Sequence, residues 1–186
     1  MRGKLIVISG PSGVGKSTVI GKVMERYPNL QFSVSATTRA KRPSETDGKD
    51  YFFVTRERFD AMVERGELLE HAEFVGNCYG TPEAPIQKAM ESGIDVLLDI
   101  EPVGAMHVKE RRPDAVLIFL APPSMEALRA RLMGRGDTAP ELVEARLRRA
   151  EWDCSMKEHY DHVVVNDVVD RAAAEILSIL SADRTE

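Results

Sequence analysis

Four stretches of the chain are continuously apolar rather than alternating: Leu5-Ile6-Val7-Ile8, Val96-Leu97-Leu98, Val116-Leu117-Ile118-Phe119-Leu120 and Val163-Val164-Val165. A strand with one wet face alternates polar and apolar side chains. A continuous run predicts a strand covered on both faces, as in a parallel sheet. Helical patterns lie between these runs. Val19, Ile20, Val23, Met24 and Tyr27 recur at helical spacing, and Pro28-Asn29 ends the pattern. Ser124 stands where a cap belongs for a helix reaching Met133, with Glu126 in its first turn. Glu141 to about Lys157 predicts a second, arginine-rich helix, and Ala172, Ile176, Leu177 and Leu180 mark the last one. Alternating strands and helices predict a three-layer α/β/α sandwich around a parallel central sheet.

From about Ser35 to Pro82 the rhythm breaks. Tyr51-Phe52-Phe53-Val54, a helical piece from Glu57 to Arg65, and Leu68 to Val75 are separated by turn signals at Asp47-Gly48, Gly66 and Gly76-Asn77. This predicts an inserted α+β lobe. The polar chemistry outside the first glycine-rich turn is concentrated in it.

Composition narrows the function classes. The chain of 186 residues is 43% hydrophobic and 30% charged, enough apolar content for a full core and too much for disorder. Net charge is −5 and there is no long basic block, which argues against a nucleic-acid polymer as partner. The densest basic patch, Lys109-Glu110-Arg111-Arg112, reads as a solvated helix end. Cys78 and Cys154 match no metal spacing and make no disulfide framework, so reduced thiols in the cytoplasm are expected. The apolar run near the N-terminus is too short for a signal segment, and no stretch has the length of a membrane span.

Gly10-Pro11-Ser12-Gly13-Val14-Gly15-Lys16-Ser17, followed by Thr18, fits G-x-x-x-x-G-K-[ST] in full. Glycines let the backbone curl so that several N–H groups face phosphate oxygens. The following helix adds the positive end of its dipole. Lys16 is placed to reach β- and γ-phosphates, and Ser17 offers a hydroxyl to Mg²⁺. A buried-type strand before the loop and an amphipathic helix after it supply the expected context. The motif points to ATP or GTP and to phosphoryl transfer, but does not name the acceptor.

In the lobe, Arg39 and Arg42 sit three apart, and arginine forks bind phosphate bidentately. Glu45, Tyr51, Glu70 and the segment Gly76-Asn77-Cys78-Tyr79-Gly80-Thr81 follow. Such a set suits a nucleoside monophosphate. A carboxylate accepts two hydrogen bonds from guanine N1–H and its 2-amino group, a pair that adenine does not offer. The same mixture of arginine and glutamate also fits a surface ion-pair network.

Several motifs in order, over essentially the whole length, resemble the bacterial type of guanylate kinase. They are the phosphate loop, Ser33 to Arg39 with Glu45, Gly48 and Tyr51, the Glu70-to-Thr81 segment, Asp99-Ile100-Glu101, Arg131 through Arg135-Gly136, and Val165-Asn166-Asp167. The resemblance implies transfer from ATP to GMP or dGMP, with Mg²⁺. It implies that Arg39, Arg42, Tyr51 and Tyr79 hold the GMP phosphate, with Glu45 supporting the arginines. Glu70 would read the guanine N1 and 2-amino edge, Ser35 and Thr81 would donate to O6, and Glu101 would lie near the base. Asp99 would reach the Mg²⁺ region beside Ser17. Arg131, Arg135 and Arg146 would close over the ATP phosphates, and Asn166 would lie near the adenine. The implied organisation is one domain, with core segments 1–34, 83–125 and 159–186, a GMP-binding lobe at 35–82 and a lid region at 126–158. Oligomeric state is not legible.

Arg131 and Arg135 are four apart, so one helix face presents both, and Gly134 to Pro140 reads as a flexible cover. Arg148 and Arg149 read as the coat of an amphipathic helix. His159 and His162 share a helical spacing and read as a solvated helix end, and Trp152 reads as packing. Lys41, Ser44, Cys78, Glu101, Pro102, Val103 and the order Asp137-Thr138 depart from the family pattern, which bears on rate and base discrimination more than on reaction class. A competing class is a non-catalytic module docking a phosphopeptide through Arg39 and Arg42; the intact Lys16-Ser17 pair argues against it.

Overall fold

The computed structural model describes residues 2–74, 76–134 and 140–182. The apolar runs form β1 (Leu5–Ser9), β7 (Asp95–Asp99), β8 (Val116–Ala121) and β9 (His162–Val165). Between β1 and β7 lie α1 (Lys16–Arg26), β2 (Leu30–Phe32), β3 (Ala36–Thr37), β4 (Phe52–Phe53), α2 (Arg56–Glu64), β5 (Leu68–Phe74), β6 (Asn77–Pro82) and α3 (Glu83–Glu91). After β7 come α4 (Pro102–Arg111), α5 (Met125–Gly134), α6 (Pro140–Ser155), a 3₁₀ turn at Met156–His159, and α7 (Val169–Ala182). Five strands form one sheet in the order β2-β7-β1-β8-β9, and four form another in the order β4-β3-β6-β5. β8 and β9 pair in parallel from Ile118↔His162 to Ala121↔Val165.

The chain divides into two compact units. One comprises Met1–Ile6, Gln31–Leu98 and Val103–Ala115; the other comprises Val7–Leu30, Asp99–Pro102 and Val116–Glu186. In the first, the small sheet and α2 close over Ala36, Phe59, Met62, Leu68 and Cys78. Two threonines lock β3 to β6. Thr37 Oγ1 donates to the Cys78 carbonyl at 2.9 Å, and the Cys78 amide donates to Thr38 Oγ1 at 2.8 Å. This fixes Arg39, just past β3, and Tyr79, on β6. In the second unit, α1 packs on α7, and α5 packs on α6 through Leu128, Leu132, Val143, Leu147 and Ala150.

Two readings change and a third is refined. The Lys109–Arg112 patch is not loosely solvated. Lys109 Nζ donates to the Ala115 carbonyl at 2.7 Å, Arg111 donates to the Leu68 carbonyl and pairs with Glu83, and Arg112 pairs with Asp114 at 2.9 Å. His159 and His162 do not share a helix: the first lies in the 3₁₀ turn and the second opens β9. Trp152 packs, but at the surface, its ring centroid 4.5 Å from the Arg149 guanidinium. The stripe that α6 buries is Val143, Leu147 and Ala150, two residues out of step with Trp152, which is 44% exposed.

Candidate functional site

The phosphate loop joins β1 to α1. The run Leu5–Ser9 is wholly buried, so the loop leaves a rigid strand. Gly15, at the N-cap of α1, has φ 94°, in the left-handed region that favours glycine. A Cβ there would also lie 2.7 Å from Asn166 Nδ2. Gly13 has φ 86°, and a Cβ on it would meet Leu132 Cδ2 at 2.7 Å. Ser17 and Thr18, in the first turn of α1, are exposed. Lys16 Nζ stands 3.4 Å from Asp99 Oδ1 and donates to the Gly10 carbonyl at 3.2 Å. Burial pushes the Asp99 carboxyl above its usual value, and Lys16 opposes the shift. Two oxygen ligands are on offer here, the hydroxyl of Ser17, which follows Lys16 in the chain, and the Asp99 carboxylate, which pairs with Lys16. They are the hard ligands that Mg²⁺ takes.

Arg131, on α5, donates from Nη1 to the Val14 carbonyl at 3.1 Å and from Nη2 to the Asn166 carbonyl at 2.8 Å. Asn166 Nδ2 donates to the same Val14 carbonyl at 2.7 Å. Two donors therefore pin the middle of the loop, a role that the arginine spacing does not reveal. Asn166 is 2% exposed, and its Oδ1 is buried without a hydrogen-bond partner. Arg146 is exposed on α6. Arg135 and the rest of 135–139, most of the expected cover, lie outside the described residues.

Arg149 is more than a helix coat. It pairs with Asp153 Oδ1 at 3.1 Å and with Glu101 Oε2 at 3.3 Å, and its guanidinium lies 4.5 Å from the Trp152 ring centroid. Asp153 is buried, which pushes its carboxyl up against the pull of Arg149. The i,i+4 spacing of Arg149 and Asp153 is the sequence signal for that pair; the link to Glu101 has none.

The first unit holds the other predicted residues. Arg39 forms a fork on Glu45, with Nη2–Oε1 at 2.7 Å and Nη1–Oε2 at 3.1 Å. The Arg42 amide donates to Glu45 Oε2 at 2.8 Å. The Arg39 guanidinium and then the Arg42 amide hold the Glu45 carboxyl down to about 2. The same guanidinium lies 5.4 Å from the Tyr51 ring centroid, and Tyr51 meets Tyr79 edge-on at 6.1 Å. The structure thus brings Arg39, Arg42, Glu45, Tyr51 and Tyr79 together. Ser35, half-buried, leads into β3. Thr81 is 1% exposed and its hydroxyl donates to Glu70 Oε1 at 2.5 Å.

Among the described residues no helix is long and apolar enough to cross a membrane, and no three His, Cys, Asp or Glu side chains converge as a metal cluster.

The family model for guanylate kinase matches residues 2–183. A guanylate kinase of Thermus thermophilus is 52% identical over 184 residues, covering 99% of this chain and 83% of the relative. One of Lactococcus lactis is 50% identical over 182 residues, covering 98% and 89%. The crystal structure of guanylate kinase from Anaplasma phagocytophilum superposes with a TM-score of 0.77 at 40% identity, covering 100% of this chain and 88% of that one.

Proposed function

This chain belongs to the guanylate kinase family, and from that premise we propose that it transfers the γ-phosphoryl group of ATP to GMP, and to dGMP, giving ADP and GDP. One observation carries the reading. A full phosphate loop with Lys16 set against Asp99 occurs in the same chain as a carboxylate, Glu70, gripped by Thr81.

The donor would lie on Gly10 to Thr18, with Lys16 on its β- and γ-phosphates. Asn166 would lie near the adenine; its buried Oδ1 lacks a donor, and the 6-amino group is one. In the acceptor lobe, 35–82, Arg39, Arg42, Tyr51 and Tyr79 would hold the GMP phosphate. Glu45 orients Arg39 through both oxygens. Ser35 would serve guanine O6, and Glu101 would approach the base. Glu70 would take the N1 and 2-amino edge, with the Thr81 hydroxyl, whose one proton goes to Glu70, positioning that carboxylate instead of donating to O6. Segments 1–34, 83–125 and 159–186 would form the core, and 126–158 the lid that brings Arg131, Arg135 and Arg146 to the transferring group. Phosphoryl transfer asks the protein for alignment and charge neutralisation more than covalent chemistry. Lys16 and the arginines supply both, and lid closure excludes water, the competing acceptor.

Ser17 and Asp99 would hold Mg²⁺, Asp99 directly or through water. There it would supply positive charge to offset that of the polyphosphate. A cytoplasmic location agrees with ATP as donor and with two free cysteines; neither a membrane nor a nucleic-acid polymer is part of the reading.

ADP release measured with GMP, AMP, CMP and UMP as acceptors tests the proposal. Turnover with GMP and little with the others is expected; equal rates would sink the guanine assignment. Glu70→Gln replaces a double acceptor by a mixed amide, so GMP KM should rise on the order of tenfold or more.

A further inference from the structure

We propose that Gly104 is a specificity-positioning residue: its lack of a side chain seats the Glu70 carboxylate in the orientation needed for guanine. The inference rests on the reading of Glu70 given above and deepens it. Glu70 is held from one side by Thr81, whose hydroxyl donates to Oε1 at 2.5 Å. From another side it meets the first turn of α4. A Cβ on Gly104 would stand 3.1 Å from Glu70 Oε2, 3.4 Å from Cδ and 3.5 Å from Cγ. The tight approach is to Oε2, with Cδ and Cγ at ordinary van der Waals distance behind it.

A methyl group at Gly104 therefore forces a displacement. Helix backbone yields less readily than a side-chain terminus, so Glu70 is what moves. Thr81 is buried and holds Oε1, and the methyl presses on Oε2. A carboxylate accepting two parallel N–H bonds depends on its orientation as well as its position. A tilt of Oε2 weakens one of the pair.

The glycine also stands against local propensity. It is the third residue of α4, and a helix there would be better served by alanine. Stability and base recognition are thereby opposed at one position, and that opposition separates this proposal from a merely structural role.

The experiment compares wild-type, Gly104→Ala, Glu70→Gln, Glu70→Asp and Glu70→Asp/Gly104→Ala proteins. GMP and ATP KM, thermal melting, and the preference for GMP over IMP, which lacks the 2-amino group, are measured. In Gly104→Ala the GMP KM should rise on the order of tenfold, the size of one weakened hydrogen bond to a charged group. The ATP KM should stay put, the GMP-over-IMP preference should shrink, and Tm should hold or rise. The shorter aspartate leaves room for the methyl, so Gly104→Ala should cost less in the Glu70→Asp background than alone. An unchanged GMP KM in Glu70→Gln removes the guanine reading itself. Impairment in Glu70→Gln with native GMP KM and base preference in Gly104→Ala overturns the Gly104 inference alone. So does a Gly104→Ala protein that melts lower and loses both nucleotides together, because that marks a displaced helix.

Discussion

Glu45 accepts from both guanidinium nitrogens of Arg39 and from the Arg42 amide, and those donors hold its carboxyl at about 2 instead of 4.5. The depressed value fixes the sign of its pH dependence. Its contribution is complete above the ordinary glutamate range and is lost as pH falls through about 2. An NMR titration should find Glu45 still ionised at a pH where exposed glutamates are half protonated. Glu45→Gln frees Arg39 to swing, so the GMP KM should rise while the ATP KM stays unchanged. Asp99 has the opposite sign. Burial raises its carboxyl and Lys16 restrains it, so ionising it works against folding as pH climbs past the usual aspartate value. Lys16→Met removes the restraint. The Asp99 carboxyl should titrate higher still, visible by carbonyl-edited NMR, and kcat should fall on the order of 10²-fold or more, as when a charge-stabilising donor is deleted.

At the scale of elements, the loop conformation depends on side chains far away in sequence. Gly15→Ala would place a methyl on Asn166 Nδ2 at a left-handed backbone position. ADP affinity by calorimetry should collapse while the GMP affinity survives. In the lobe, Phe59 is 2% exposed and central to the cluster on α2; Phe59→Ala should cost about 3–5 kcal/mol of unfolding free energy in urea titration. The elements that the sequence makes legible are those with a strong period. β1, β7 and β8 are continuous apolar runs that the sheet buries; β9 is such a run too, but as an edge strand it leaves Val163 and Val165 exposed, against the expectation of cover on both faces. α1 and α7 repeat cleanly. The Ser124 cap is realised, its hydroxyl accepting from the Ala127 amide at 3.1 Å. β3 and β4 are two residues each, too short for any period, and β2 buries only Leu30. β6 carries Gly80 and small polar residues and has no apolar period; its pairing with β5 is local, beginning at Phe74↔Asn77, but its pairing with β3 is non-local. α3 has Pro85 in its first turn, where a missing N–H is harmless. Of the site, Lys16, Arg39, Arg42, Glu70 and Thr81 stand in motifs. The grip of Arg131 on a loop carbonyl and the approach of Gly104 to Glu70 exist only after folding, and no spacing encodes them.

Over the whole molecule, the predicted donor residues from Gly10 to Thr18 fall in one compact unit, and the predicted acceptor residues from Ser35 to Thr81 fall in the other. Hydrogen exchange should reflect this division. ADP alone should slow exchange in the phosphate loop and α5, and GMP alone should slow it in β3 and β6; protection of the same amides by both ligands would contradict the assignment. Each ligand should also stabilise the fold by mass action, by about 2.7 kcal/mol at a hundredfold excess over Kd, and so raise Tm.

The packing of α1 on α7 has a further consequence, for synthesis on the ribosome. The pieces of the first unit have all been made once Ala115 emerges, whereas the second still awaits its C-terminal helix. α1, with Val19, Ile20 and Val23 buried in the finished fold, is therefore synthesised long before α7 exists to meet it. The helix that begins with the phosphate-loop lysine is a nascent apolar surface throughout that interval. Slow translation, or arrest upstream of Val169, leaves it exposed to chaperones and to other chains.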